Sequence, residues 1–346
     1  MSRISSPGKG VARPLGLLPL IFLFAVHPAA GGAGRAEVPV QHLDGMPFVR
    51  LHHLAHFYGI EANDRPVTLG DALHRFEFEP KTRRALYNGE VVWLHEAPVR
   101  RRNGWYISQP DHLTLVDPLL RSRDHLRRTG SGPVLLDPGH GGNDSGARGQ
   151  GGLTEKELTL DVANRIHFRL VGQGVEAYFT RDGDRFVSLD DRGRAAADRR
   201  AALLVSVHFN QASNAEASGV ETYVMPESGQ RSTSGMEDKL RNVKHSGNRF
   251  DGANMILARS IHHQLLRTLQ AQDRGIRRAR FVVLRDATCP AVLVECGFIS
   301  NSAEREKIRT PAYRASIAAA IALGILDYVK AVEKAKSANG EVALPR

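Results

Sequence analysis

Four short stretches of this 346-residue chain carry side chains that could do chemistry together. The first is Asp137-Pro138-Gly139-His140-Gly141-Gly142, where a histidine stands in a glycine-rich turn directly after an apolar run. An imidazole placed there has open space around it and suits a metal ligand or a catalytic base. The second is Thr154-Glu155-Lys156-Glu157, where Thr154 and Glu157 fit a capping box and put Glu155 at the first position of a helix. That carboxylate either complements the helix dipole or projects as a ligand from a rigid helix start. The third is Ser206-Val207-His208-Phe209-Asn210, and the fourth is Val294-Glu295-Cys296-Gly297-Phe298. Glu295 follows four apolar residues, and an acid at the end of a buried strand is costly unless it is paired or functional.

The elements that must position these groups follow from periodicity. Strand-like runs fall at 134–136, 175–180, 203–207, 219–225, 281–284 and 291–295. Between them lie helical patterns. Leu158, Val162, Ile166 and Leu170 form one apolar stripe, and 255–269 and 313–332 read the same way. The alternation predicts an α/β domain with a mixed, mostly parallel sheet flanked by helices on both faces, preceded by a small α+β domain. His140, His208 and Glu295 then lie at carboxyl ends of strands, the edge where open α/β sheets place their sites. Two histidines and one carboxylate make a common catalytic zinc shell with a fourth position left for water. The remaining carboxylate can serve as general base.

Taken in order, these motifs resemble the zinc-dependent N-acetylmuramoyl-L-alanine amidases of the type 3 family. His140 matches the histidine of a D-x-G-H-G-G turn, and Glu155 the acid of an E-K-x-hydrophobic helix start. His208 matches S-[IV]-H-x-[ND], and Glu295 matches the acid of V-E-x-x-F-[IL]-S-N. Thr180-Arg181-Asp182, Arg192, Gly219-Val220-Glu221-Thr222 and Leu284-Arg285 fit between them, so the resemblance covers about residues 133–330. It implies one zinc per chain on His140, Glu155 and His208, with Glu295 as the catalytic acid–base. The implied reaction is hydrolysis of the amide between the lactyl group of N-acetylmuramic acid and L-alanine. Phe209 departs from the family, which has a small residue there, and is expected to narrow the substrate cleft.

The rest of the chain divides by composition. Residues 1–36 have the layout of a secretory signal peptide: Arg3, Lys9 and Arg13, an apolar run from Leu15 to Val26, then small residues. Export to the periplasm, the cell wall or the medium is expected. Residues 37–125 form the accessory domain, with Asn-Gly hairpins at 88–89 and 103–104. It loosely resembles the copper amine oxidase N-terminal-like domain and is expected to be a separable wall-binding or stalk module. Residues 126–132 read as a linker, 133–332 as the catalytic domain and 333–346 as a flexible tail. Within the catalytic domain, 226–254 is polar and glycine-bearing and reads as a mobile insertion near the cleft that gates it. His52 and His56 are one helical turn apart, but the segment lacks the glutamate of a zincin motif and reads as a solvated face. Cys289 and Cys296 bracket a strand, which holds them roughly 23 Å apart, so two free thiols are expected.

The formal net charge is +10, and loss of the leader leaves the remainder basic. Such a balance favours anionic surroundings such as acidic wall polymers. A nucleic-acid partner is set aside, because no basic recognition helix or aromatic–basic interleaving is present. The expected partner is peptidoglycan, with a monomeric enzyme and room for a protein activator. Two rivals remain at this level: a zinc peptidase cutting within the stem peptide, and a non-catalytic wall-binding protein.

Overall fold

The computed structural model describes residues 37–233 and 239–337; the expected leader and residues 338–346 lie outside the described residues. The accessory half holds β1 (Val40–Leu43), β2 (Met46–Arg50), α1 (Leu51–Tyr58), β3 (Glu61–Asp64), β4 (Val67–Gly70), β5 (Arg75–Phe78), β6 (Arg84–Tyr87), β7 (Glu90–Trp93), β8 (Val99–Arg101) and β9 (Gly104–Ser108). Three short helical turns follow, α2 (Gln109–Asp111), α3 (Asp117–Leu120) and α4 (Ser122–Leu126). The catalytic half holds β10 (Val134–Pro138), α5 (Glu155–Val171), β11 (Ala177–Phe179), α6 (Leu189–Asp198), β12 (Leu203–Asn210) and β13 (Val220–Val224). It continues through α7 (Asp251–Leu269), β14 (Asp273–Arg278), α8 (Val282–Arg285), β15 (Ala291–Phe298), α9 (Ser302–Arg309) and α10 (Pro311–Ser337).

The α/β reading holds. β11, β10, β12 and β15 run parallel, β13 is antiparallel to β15, and β14 is parallel to β13. Both faces are covered, and side-chain alternation explains how. Leu136, Val205, Val207, Val292 and Val294 join the larger core, while Leu135, Leu204 and Leu293 join a second core with Ala196 and Val283. The stripe Leu158, Val162, Ile166 and Leu170 is buried along α5, which packs with α7 and α10 on one face. α6 and α8 cover the other.

Several boundaries differ from expectation. Residues 281–284 make a helical turn, and the missed strand is β14, whose Asp-Arg-Gly-Ile-Arg-Arg sequence hides a strand behind three arginines. The expected linker 126–132 is tied down: Leu126 and Thr129 are buried, and the Thr129 hydroxyl donates to the Leu126 carbonyl at 2.7 Å. The expected tail begins as helix. Ala335 is buried and Lys336 Nζ donates to the Gly130 carbonyl and Ser131 Oγ, so α10 is ordered through Ser337. Both cysteines are buried and free.

The two halves share one sheet. Among the described residues it has eleven strands in the order β11-β10-β12-β15-β13-β14-β7-β6-β5-β4-β3, beside a four-stranded sheet β1-β2-β9-β8. β7 joins β14 at Val92 and Ile276, the Val91 N–H donates to Asp273, and Trp93 Nε1 donates to the Arg274 carbonyl. Behind this junction Asp111 is fully buried and accepts from the backbone N–H of His95 and Glu96 and from Ser108 Oγ. Burial raises its proton affinity, but His95 and the buried Arg278 outweigh that and hold it ionised. The described parts of 226–254 dock on this same region: Arg83 reaches the Ser232 carbonyl, and the His95 ring accepts from the Glu227 N–H. β13 runs antiparallel to β15, so the segment after Val224 leaves the sheet at the edge opposite the His140 turn. That register removes the basis for a gate over the cleft.

Asp111→Ala is expected to cost about 3–5 kcal/mol, because it orphans buried donors and removes the strongest of the anionic influences on buried Arg278. A urea unfolding midpoint measures this; a change under 1 kcal/mol would mean that the junction does not depend on Asp111.

Candidate metal centre

Three of the four singled-out residues meet at the carboxyl edge of β10 and β12. One ligand atom from each of His140, Glu155 and His208 lies within 4.8 Å of the others. Glu155 Oε2 is 3.1 Å from His140 Nε2, and Glu155 Oε1 is 2.9 Å from His208 Nδ1. The imidazole rings stand edge to face at 5.0 Å.

His140 follows β10 with φ 62°, a left-handed conformation uncommon outside glycine, though histidine is among the residues that tolerate it. Two arginines hold that turn. Buried Arg181 donates to the carbonyls of Pro138, Gly139, Gly183 and Lys156. Arg192 donates to the carbonyls of Pro138 and His140 and to Asp137. Asp137 also accepts from Thr180 and Ser206 at 2.6 Å each. Burial would raise its proton affinity, but Arg192 and these hydroxyls hold it below the usual carboxylate range. The ring of His140 is aimed by Asp144, whose Oδ2 sits 2.9 Å from Nδ1. Asp144 is a positioning residue that the motif reading missed; an acid four residues after the histidine was the available signal.

Glu155 begins α5 as expected, but the capping box is not formed. The Thr154 hydroxyl donates to the Glu157 carboxylate, and the first-turn N–H groups of Glu155 and Lys156 donate to the carbonyls of Ala147 and Ser145. The helix start is thereby fastened to the His140 loop itself. The Glu155 carboxylate also accepts backbone N–H bonds from Ala147 and Phe209. Burial alone would raise its proton affinity; the two imidazoles overcome that and hold it far below the usual carboxylate range. For His140, burial is likewise outweighed by Glu155 and Asp144, and its proton affinity rises.

The cluster leaves no room for larger neighbours. A Cβ on Gly139 would lie 2.3 Å from the His208 ring. One on Gly146, whose φ is 62°, would lie 2.5 Å from the His140 ring and 2.6 Å from Glu155 Oε2.

Glu295 lies opposite His208 on one side and Glu221 on the other, so register puts all three on one face. Its Oε2 is sealed from solvent and has no hydrogen-bond partner. Burial first, then the charges of Glu155 and Glu221, push its proton affinity well above the ordinary range. Glu221 is itself buried and held by Arg274, Arg277, Asn210 and Tyr223. Phe209 does not narrow the cleft. Alternation along β12 sends it into the larger core, 1% exposed, beside Val205 and Val207. His52 and His56 join no metal-holding group among the described residues.

Two imidazoles and a carboxylate that could hold one metal ion, beside a further carboxylate with an unpartnered oxygen at an α/β sheet edge, form the kind of site a hydrolase uses. The comparisons with known proteins are consistent with that class. A family model described as N-acetylmuramoyl-L-alanine amidase matches residues 134–327, and the chain belongs to that family. The amidase AmiA of Salmonella typhimurium is 32% identical over 232 residues, covering 60% of this chain and 80% of the relative. LytC of Bacillus subtilis is 34% identical over 197 residues, which is 57% of this chain and 35% of that protein. The solved structure of the amidase AmiC2 of Nostoc punctiforme shares 34% identity, covers 58% of this chain and 99% of its own, and superimposes with a TM-score of 0.48.

Removing the carboxylate that aims a ligand histidine typically weakens metal binding about 10–100-fold. Asp144→Ala is expected to show that loss in a chelator competition; unchanged affinity would mean that the ring is fixed by its backbone alone.

Proposed function

We propose that the chain is an exported amidase that uses one zinc ion to cut the bond between the lactyl group of N-acetylmuramic acid and L-alanine, in wall remodelling or daughter-cell separation. The observation that carries the reading is the convergence of His140, Glu155 and His208 beside an unpartnered, buried Glu295 oxygen. The donor set fits zinc. Magnesium and calcium prefer all-oxygen shells, whereas two imidazoles with a carboxylate suit a borderline ion. Three ligands are sufficient for a catalytic site, because one position must stay open. Zinc in such a shell supplies Lewis acidity toward the scissile carbonyl and toward water.

The side chains divide the remaining work. Glu155 offers a fixed anion, since loop carbonyls at Ala147 and Ser145 lock its helix start. His140 is presented through Nε2 because Asp144 occupies its other nitrogen. Glu295 takes the proton from the attacking water and returns it to the departing L-alanine amine. Its burial and its anionic neighbours keep its proton affinity high, and a metal ion bound beside it would lower that affinity. Export rests on the leader pattern of residues 1–36 and on the location of the substrate outside the membrane.

Purified protein incubated with peptidoglycan should release glycan free of peptide and peptides with L-alanine at the new N-terminus, read by mass spectrometry. A chelator should stop it, and products cut inside the stem peptide would overturn the reading in favour of a peptidase. General acid–base help is typically worth about 10²–10⁴-fold, so Glu295→Gln should lose at least that in turnover. Its zinc content should stay near that of the unmodified protein. If metal and activity vanish together, Glu295 is a ligand and its role is exchanged with that of Glu155.

A further inference from the structure

The parallel strands of the catalytic half have two ends, and the metal cluster occupies the carboxyl end. α5 starts beside that cluster with Glu155 and runs 17 residues to Val171, so its far end lies about 25 Å away. Hydrogen bonds gather four segments there, around the amino ends of β10, β11 and β12. The Val134 N–H donates to the Glu176 carbonyl, and the Ala202 N–H donates to the Pro133 carbonyl. Lys336 ties the end of α10 to Gly130 and Ser131.

The face so formed is basic. In segments 127–133, 168–176, 198–202 and 333–337, seven residues are Lys or Arg and three are Asp or Glu. Arg127, Arg128, Arg169, Arg199, Arg200 and Lys334 are all exposed. Of the three acids, Glu176 already accepts from the Tyr178 hydroxyl. Apolar groups stand among these cations. Phe168 is 81% exposed and Val171 52%, and their spacing of three puts them on one side of the end of α5. The exposed ring of Tyr178 follows on β11, with the Arg199 guanidinium 4.9 Å from its centre.

A single exposed apolar side chain is ordinary, whereas a basic face that also carries two of them suits a particular partner. An acidic polymer dissolved in water would pair with the cations and leave Phe168 and Val171 wet. A bilayer surface takes both. Its anionic headgroups meet the guanidinium and ammonium groups, and the apolar side chains enter the boundary between headgroups and acyl chains. We propose that this face docks the protein on a membrane containing anionic phospholipid. The inference goes beyond the amidase reading and takes from it only export, which sets the side of the membrane that is met. Docked in this way, the end of α5 lies on the lipid and its start holds Glu155 about 25 Å above, at the opposite end of the sheet. The metal cluster then opens away from the bilayer, toward the space that holds the wall.

The test is co-sedimentation of the exported protein with vesicles of phosphatidylcholine, alone or mixed with phosphatidylglycerol. Binding should require phosphatidylglycerol and fall as salt is raised. Replacing Arg127 and Arg128 together with Ala should weaken it roughly 25-fold, at about fivefold per cation. Phe168→Ala should weaken it about tenfold and leave the salt dependence unchanged. These side chains are exposed, so the variants should fold and should cut a short soluble muropeptide at the unmodified rate. Equal binding to both kinds of vesicle, or variants that bind as the unmodified protein does, would overturn the proposal. So would equally tight binding of soluble polyphosphate with no loss in Phe168→Ala, which would mark a surface for polyanions in solution. The vesicles carry no peptidoglycan, so lipid binding by a protein that cuts none would overturn the amidase reading and leave this face standing.

Discussion

Glu155 puts a negative charge where water barely reaches, and much of the catalytic half is arranged around keeping it there. An isolated buried carboxylate would cost several kcal/mol and would take up a proton instead. Here two imidazoles and two backbone N–H groups converge on it. Those contacts require the loop at Ala147, the turn at His140 and the end of β12 to meet at one point. Gly139 and Gly146 have no side chains because the rings occupy that space. A cation held by the same three residues would satisfy the carboxylate by another route.

The scaffold behind this cluster is itself polar and buried. Asp137, Arg181 and Arg192 lie inside the catalytic half, and their partners are backbone carbonyls of the His140 turn as much as one another. A buried ion pair of this kind adds little net stability over an apolar substitute. Its consequence is geometric, since a turn that places a histidine at positive φ needs donors to fix its carbonyls. Glu221 does similar work beside Glu295, where Arg274 and Arg277 compensate it from β14.

β14 links that chemistry to the accessory half. Its arginines face Glu221 and Trp93, and its outer edge receives β7. An uncovered strand there would present free N–H and C=O groups, a standing risk of pairing with another chain. The accessory half removes that edge, and the described residues Glu227, Arg231 and Ser232 after β13 dock on the same junction. A proposal that the accessory half is separable from the catalytic half must therefore account for this shared sheet.

The sequence by itself singled out the candidate residues and their order along the chain. Glu155 stands at a helix start and His140 just past β10, and local periodicity marks both places, whereas β12 and β15 run on beyond His208 and Glu295 to Asn210 and Phe298. The helical stripe of α5, the parallel strands and the free cysteines were legible for the same reason. The tertiary structure decided what depends on partners far along the chain. β14 has too many arginines to read as a strand until Glu221, Phe298 and Trp93 are beside it. Phe209 reads as a cleft residue until alternation along β12 turns it into the core. The segment 226–254 reads as a gate until antiparallel β13 directs its described residues to the opposite edge. Asp144 becomes a positioning group only once the His140 turn brings its carboxylate to the ring. Spacing along a chain records local geometry, whereas a buried charge or a sheet edge is satisfied by whatever the fold brings to it.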